Sequence, residues 1–318
     1  MPLSLDPELA AVFAAAAGDT PADPLVRGDW ETWRTAVAAT YPQLTANLDQ
    51  PEVERQVFTT ASDDGVEIDL HWYAPVGGAA RADDAVSAAV LHAHGGAFVA
   101  GEVAHFAPFL AQYVAASGVP ILSVEYRLAP EATGSTISND VYAGLTWLIE
   151  NATRLSVDPS RIAVMGESAG STLAAAAAIR ATREGIALAR QILIYPMLDN
   201  RETPLDPNLV PFSADLDTLR HTGWISLLGD DHAGDQPPTI VPAQLEDFSG
   251  LPPTYLEVGE LDAFRDETVT YAQHLWAAGV STELHVIPGL NHGWDHFAPT
   301  ISIRDEIFAR RISILHSL

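Results

Sequence analysis

The chain of 318 residues contains no cysteine. That rules out disulfides, a thiolate nucleophile and cysteine-ligated metal, and it leaves the redox compartment unmarked. Lysine is missing too: all 16 Lys+Arg residues are arginine, set against 42 Asp+Glu, for a formal net charge of −26. So acidic a surface repels phosphate backbones and anionic headgroups, which argues against nucleic acid or a membrane surface as partner. A GC-rich genome and a salt-adapted surface would each produce this composition. Long apolar runs are also scarce. The stretch Leu9 to Ala17 falls well short of the ~18 residues of a membrane span, and acidic residues stand where a secretion signal would be basic. A soluble, cytoplasmic protein is expected.

With 47% hydrophobic residues, the chain can bury a large core, and one α/β domain with an insertion suits its length as well as two domains do. Two helices are predicted within residues 1–48, Asp6 to Ala17 and Asp29 to Thr40, separated by a Gly/Asp/Pro-rich break. Their apolar residues, among them Leu9, Phe13, Trp30, Trp33 and Val37, must cover something, whether by plain packing or as a lid over a pocket. From Val53 to Pro75 alternating polar and apolar residues flank Asp63-Asp64-Gly65, a hairpin signal. After a Gly/Ala/Asp-rich loop comes a continuous apolar run, Ala85 to His92, typical of a buried strand.

Strand and helix then alternate through residue 198. The rhythm breaks over 199–248, rich in proline and aspartate with one helix from Ala214 to Leu228, and resumes over 249–318. This predicts a mostly parallel sheet of about eight strands flanked by helices. Its core is split into 49–198 and 249–318, and a helical cap is built from 1–48 and 199–248.

Chemistry concentrates in Ile162 to Ala178, which reads as strand, abrupt turn and helix around Gly166-Glu167-Ser168-Ala169-Gly170. Glycines two before and two after Ser168 allow a strained turn that pushes the hydroxyl out at the head of a helix. There the helix N-terminus and the Ala169 amide favour developing negative charge. A serine nucleophile needs a base, and the base an orienting acid. Asp262 follows the strand PTYLEV and His292 follows the strand LHVIPG, both at strand ends where such sheets place their sites. Among eleven histidines the rivals are His285, inside a strand, and His296, on the approach to the last helix. Among the acids, Asp266 and Glu267 suit a helix N-terminus, and Glu260 is a further candidate. After the early strand, His94-Gly95-Gly96-Ala97 offers amides that can approach a substrate carbonyl closely.

From about residue 85 onward the sequence resembles the hormone-sensitive-lipase-like branch of α/β-hydrolase carboxylesterases. His94-Gly95-Gly96-Ala97 resembles its HGGG motif, Tyr126 to Glu131 its YRLAPE segment and GESAG its GDSAG elbow. Leu261 to Glu267 resembles its D-P-L-R-D-E stretch, and Asn291 to Trp294 its H-G-F ending. The resemblance implies an α/β-hydrolase fold, with Ser168 as nucleophile, Asp262 as orienting acid and His292 as base. It also implies an oxyanion hole of the Gly96, Ala97 and Ala169 amides, and no metal or cofactor. Three positions depart from the pattern. Ala97 replaces a glycine and narrows the acyl pocket, Glu167 replaces an aspartate and adds a methylene, and Ala263 replaces a proline.

His94 is expected to brace the oxyanion loop, with Gly95 and Glu167 in support, while Arg127, Glu131 and Asp140 fix the scaffold. Phe98, Phe212, Trp224 and Trp294 are candidate pocket walls, although each taken singly suits core or cap packing better. The resemblance implies hydrolysis of short- to medium-chain esters and a homodimer formed through the sheet edge. A lactonase, amidase or acyltransferase would use the same triad, and a non-catalytic small-ligand receptor would share the fold.

Overall fold

The computed structural model describes residues 2–16, 25–46, 48–77 and 86–318. In chain order the elements are α1 (Pro7–Ala16), α2 (Trp30–Thr45), β1 (Glu54–Ala61), β2 (Glu67–Ala74), β3 (Ser87–Ala93), α3 (Val103–Ser117), β4 (Ile121–Val124) and α4 (Thr136–Glu150). There follow β5 (Val157–Glu167), α5 (Ala169–Arg183), β6 (Arg190–Ile194), α6 (Val210–Leu228), β7 (Thr254–Gly259), α7 (Arg265–Ala277), β8 (Thr282–Ile287), α8 (Trp294–Phe297) and α9 (Ser302–His316). The break between the first two helices, the end of the first helix at Ala17, and the Gly/Ala/Asp-rich loop with the first residue of the next predicted strand, Ala85, lie wholly or partly outside the described residues.

The eight strands form one sheet in the order β1-β2-β4-β3-β5-β6-β7-β8. The β1–β2 hairpin and the β2–β4 pair are antiparallel. Every pairing from β4 through β3 to β8 is parallel. All seven residues of β3 are buried, as expected for a strand with helices over both faces. Alternate side chains feed two cores: Leu91, Val164 and Leu193 pack in one, and Val90, Ala163, Met165 and Ile192 in the other. Each of these side chains apart from Ala163 contributes ~1.5–3 kcal/mol of burial.

Parallel pairing places the C-terminal ends of β3, β5, β7 and β8 on one edge of the sheet. The segments leaving those ends begin at His94, Ser168, Glu260 and Pro288, so four stretches far apart in sequence converge. Above them lie α2 and α6. The rest of the expected cap sits elsewhere. α1 is pinned by the Asp6 amide to the Gly289 carbonyl at 2.8 Å, and its Leu9 is buried with Ile287, Leu290 and Trp294. Residues 232–244 fold back on themselves, the Asn200 side-chain amide donating to the carbonyls of His232 and Gly234 at 2.8 Å each. No helix among the described residues is long and apolar enough to cross a membrane.

Candidate active site

Ser168 occupies the single residue between β5 and α5 with φ 55° and ψ −123°, a left-handed conformation costly for a residue with a Cβ. The flanking glycines explain how the turn closes. A Cβ on Gly166 would stand 2.3 Å from the Gly170 carbonyl, and one on Gly170 2.0 Å from the Ala93 carbonyl oxygen. The Ser168 amide donates to the Ile194 carbonyl at 2.9 Å, tying the turn to β6.

His292 Nε2 lies 2.9 Å from Ser168 Oγ, and its Nδ1 lies 2.8 Å from Asp262 Oδ2. A carboxylate only accepts, so Nδ1 carries the proton and Nε2 is left to accept from the serine hydroxyl. Asp262 is fully buried, and its other oxygen accepts from the Phe264 amide at 2.8 Å. The His292 ring is gripped edge-on by Tyr195 and Phe264, with centroids at 4.8 and 4.9 Å. Tyr195 in turn donates to Asp295 at 3.1 Å, and Asp295 accepts from the buried Arg311 at 2.6 Å. Burial alone would raise the Asp295 carboxyl, but Arg311, His296 and the Tyr195 hydroxyl together outweigh it and hold the group down at about 2.

The rival residues are engaged elsewhere. His285 pairs with Glu283 at 2.6 Å. His296 sits on α8, its Nδ1 3.0 Å from the Tyr41 hydroxyl and its ring stacked on Phe109. Asp266 pairs with Arg265 at 2.7 Å, and Glu267 accepts from the Leu198 amide at 2.6 Å. Glu260 Oε2 accepts from the Gly289 amide at 3.3 Å.

Gly96, Ala97 and Ser168 share the wall of a cavity of about 370 Å³, and Ala169 opens α5 beside the serine. His94 is fully buried and stacked on Tyr126 at 4.2 Å. Its Nδ1 lies 2.8 Å from the Gly95 carbonyl, and Tyr126 donates to the His94 carbonyl at 2.6 Å. Burial pushes the His94 imidazole down to about 3, so it stays neutral as a brace. Glu167 is buried with its carboxylate 2.8 Å from His92 Nε2. The scaffold residues divide into two clusters. Arg127 pairs with Asp140 at 2.6 Å and Asp64 at 2.6 Å, whereas Glu131 pairs with Arg34 of α2 at 2.7 Å.

Of the four aromatic residues expected to line the pocket, Phe212 of α6 does so. Phe98 and Trp224 are instead fully buried against each other, centroids 5.0 Å apart. Trp294 is buried in the small core under α1. Phe98 and Trp224 join the loop after β3 to α6 and Trp294 fills the core under α1, so the cavity walls fall to others: Trp33, Val37 and Tyr41 of α2, Leu216 and Leu219 of α6, and Phe264. The spacing of Trp33, Val37 and Tyr41, four apart on one helix face, was the available signal for the first three. Among the described residues no group of three or more His, Asp and Glu is placed to hold a metal ion. A wider open depression of about 850 Å³ lies between α5, α7 and residues 235–251 and includes none of these groups.

Comparison with known proteins agrees with this fold. A family model described as the alpha/beta hydrolase fold matches residues 90–296. Over 240 residues the chain is 32% identical to esterase LipI of Mycobacterium tuberculosis, covering 73% of each chain. It is 30% identical over 269 residues to an ethyl acetate hydrolase of Pseudomonas putida, covering 83% of this chain and 82% of that one. Among solved structures, a bacterial heroin esterase superposes with a TM-score of 0.87 at 32% identity, covering 98% of this chain and 97% of the other. With most of its length matched in sequence and structure, the chain belongs to the α/β-hydrolase fold family, on the hormone-sensitive-lipase-like branch that its motifs resemble.

Proposed function

We propose that the protein is a serine carboxylesterase acting on small carboxylic esters. The observation that carries this is the unbroken chain Ser168, His292, Asp262, at 2.9 and 2.8 Å, opening on a cavity of about 370 Å³. Ser168 attacks the ester carbonyl while His292 takes its proton. Asp262 holds the imidazole in the needed tautomer and stabilises its positive charge. The amides of Gly96, Ala97 and Ala169 receive the oxyanion, His292 returns the proton to the leaving alcohol, and water repeats the sequence on the acyl-enzyme. The names of the relatives, an esterase and an ethyl acetate hydrolase, support the same reaction class.

Ser168→Ala should abolish p-nitrophenyl acetate hydrolysis while circular dichroism and melting temperature stay as in the wild type; retained turnover would refute the assignment. A fluorophosphonate probe should label Ser168, and failure to label would favour a non-catalytic receptor. The cavity volume supports short to medium acyl groups, so a panel of p-nitrophenyl esters of increasing length should show kcat/KM peaking below long-chain acyls. A cytoplasmic homodimer is the accompanying reading; its dimer is supported by β8, the edge strand among the described residues, where Val286 is 38% exposed. Light scattering checks the mass.

A further inference from the structure

The loop that carries Gly96 and Ala97 is strained. Gly96, Ala97 and Phe98 have φ values of 128°, 54° and 63°, and the latter two bear a Cβ in the left-handed region. Such a conformation persists only where neighbours over-determine it. Inside the loop, the amides of Val99 and Ala100 turn back on the Gly96 carbonyl at 3.1 and 3.0 Å. Outside it, Ala129 donates to the Phe98 carbonyl at 2.9 Å.

The remaining restraints come from the cap. Arg34 of α2 donates through Nε to the Val99 carbonyl at 2.6 Å and through Nη2 to the Ala129 carbonyl at 2.7 Å. One planar guanidinium therefore spans both segments whose mutual bond fixes Phe98. Glu131 holds the fork from the far side at 2.7 and 2.8 Å, and Trp30, one turn earlier, lies under it at 4.5 Å. From the other side comes α6. Its Gly223 lies so close to the loop that a Cβ there would stand 2.6 Å from the Ala97 carbonyl oxygen, and its Trp224 packs on Phe98. The two cap segments are also joined to each other, the Gly28 amide donating to Thr222 Oγ1 at 2.9 Å.

From this geometry we infer that Arg34 is a positioning residue for the oxyanion hole. The cap does more than wall the cavity: α2, through Arg34, and α6, through Gly223, hold the Ala97 and Gly96 amides where the tetrahedral oxyanion forms. The hole is complete only when both helices are seated. A lysine cannot replace the fork, because a single ammonium does not span two carbonyls and a carboxylate in one plane.

The inference rests on the esterase reading. Wild-type enzyme that hydrolyses no ester would refute that reading, whereas the comparison among variants tests this one. The assay measures kcat per site titrated with fluorophosphonate, KM for p-nitrophenyl acetate, the inhibition constant of an alkyl trifluoromethyl ketone, and melting temperature. The ketone adds Ser168 Oγ to its carbonyl and leaves an oxyanion in the hole, so its affinity reports the hole directly.

Losing the alignment of part of an oxyanion hole should cost ~10–100-fold. Arg34→Gln is expected to lower kcat and ketone affinity together by about that factor, with KM changing less than ~3-fold. Arg34→Lys should fall near Arg34→Gln. Glu131→Ala removes the outer hold on the fork but leaves both carbonyl contacts, so it should lower the melting temperature and cost clearly less kcat than Arg34→Gln. Gly223→Ala, approaching from the other helix, should reproduce the kcat and ketone losses should Arg34→Gln fold poorly. The inference is overturned if ketone affinity is unchanged in both Arg34→Gln and Gly223→Ala, or if Glu131→Ala loses as much kcat as Arg34→Gln.

Discussion

His94 shows how a residue's surroundings decide its role. Enclosed by Tyr126 and Phe106, it is held neutral by burial, with its pKa pushed down to about 3 from 6.5. The unfolded chain protonates this histidine near its ordinary value while the native chain does not. Between about pH 6.5 and 3 the unfolded state therefore binds more protons, and stability falls as pH falls through that window, by up to ~1.4 kcal/mol per pH unit. Urea unfolding at pH 4, 5, 6 and 7 should show the decline, and His94→Phe should flatten it while weakening the loop that His94 braces. Gly170 allows a blunter test. Its Cβ would meet the Ala93 carbonyl at 2.0 Å, and backbone on both sides cannot yield. Gly170→Ala should cost more than ~3 kcal/mol, measured by chemical denaturation. The positions of Ser168, Asp262 and His292 were legible because each follows a strand at a motif. Phe98 and Trp224 took the packing role that suited each of them better than a pocket wall, and the sequence alone did not say which way either ring points. The aromatic rings satisfied the cap interface first.

At the level of elements, α2 is the segment whose importance was hardest to read. The helix expected to end at Thr40 continues to Thr45 with Pro42 inside it. The tertiary hold on Tyr41 offsets the lost hydrogen bond: its ring packs on His105 and Phe106 at 5.2 Å each, and its hydroxyl meets His296 at 3.0 Å. Tyr41→Phe should destabilise by ~1 kcal/mol, and hydrogen exchange should show α2 opening before the sheet. α8 was missed altogether because four residues are too few to show a period, and so His296 was placed on the approach to the last helix and not on the cavity wall. The mostly parallel sheet of about eight strands was legible, since alternating apolar runs and helices leave few topologies open, whereas its strand order and the antiparallel β2–β4 pair were not. Which helices would cover the site was not, because α1 and α2 both carry large apolar side chains, and only the contacts of Leu9 and Trp33 separate a packing helix from a lid.

For the whole molecule, a net charge of −26 sets the response to salt. Like-charge repulsion weakens as the Debye length shrinks, from ~30 Å at 0.01 M to ~8 Å at 0.15 M. Melting temperature should therefore rise over that range. A further climb beyond 1 M would mark a salt-adapted surface, and a plateau would leave genome composition as the explanation. The same field should disfavour anionic esters relative to neutral ones of equal size, with the difference shrinking as salt is added.

The proposed nucleophile leaves β5, while its acid and base leave β7 and β8, and the chain between them runs through residues 229–248, folded apart from the cavity. One cut there would divide the machinery cleanly. The N-terminal fragment would keep the serine, its elbow and the oxyanion loop; the C-terminal fragment would keep the whole proton relay, and neither alone could form an acyl-enzyme. What rejoins them is the parallel ladder from Gln191–Thr254 to Ile194–Glu257. Separately expressed halves should thus be silent alone and active when mixed, with activity reporting the docking of one β-α-β unit onto the rest of the sheet.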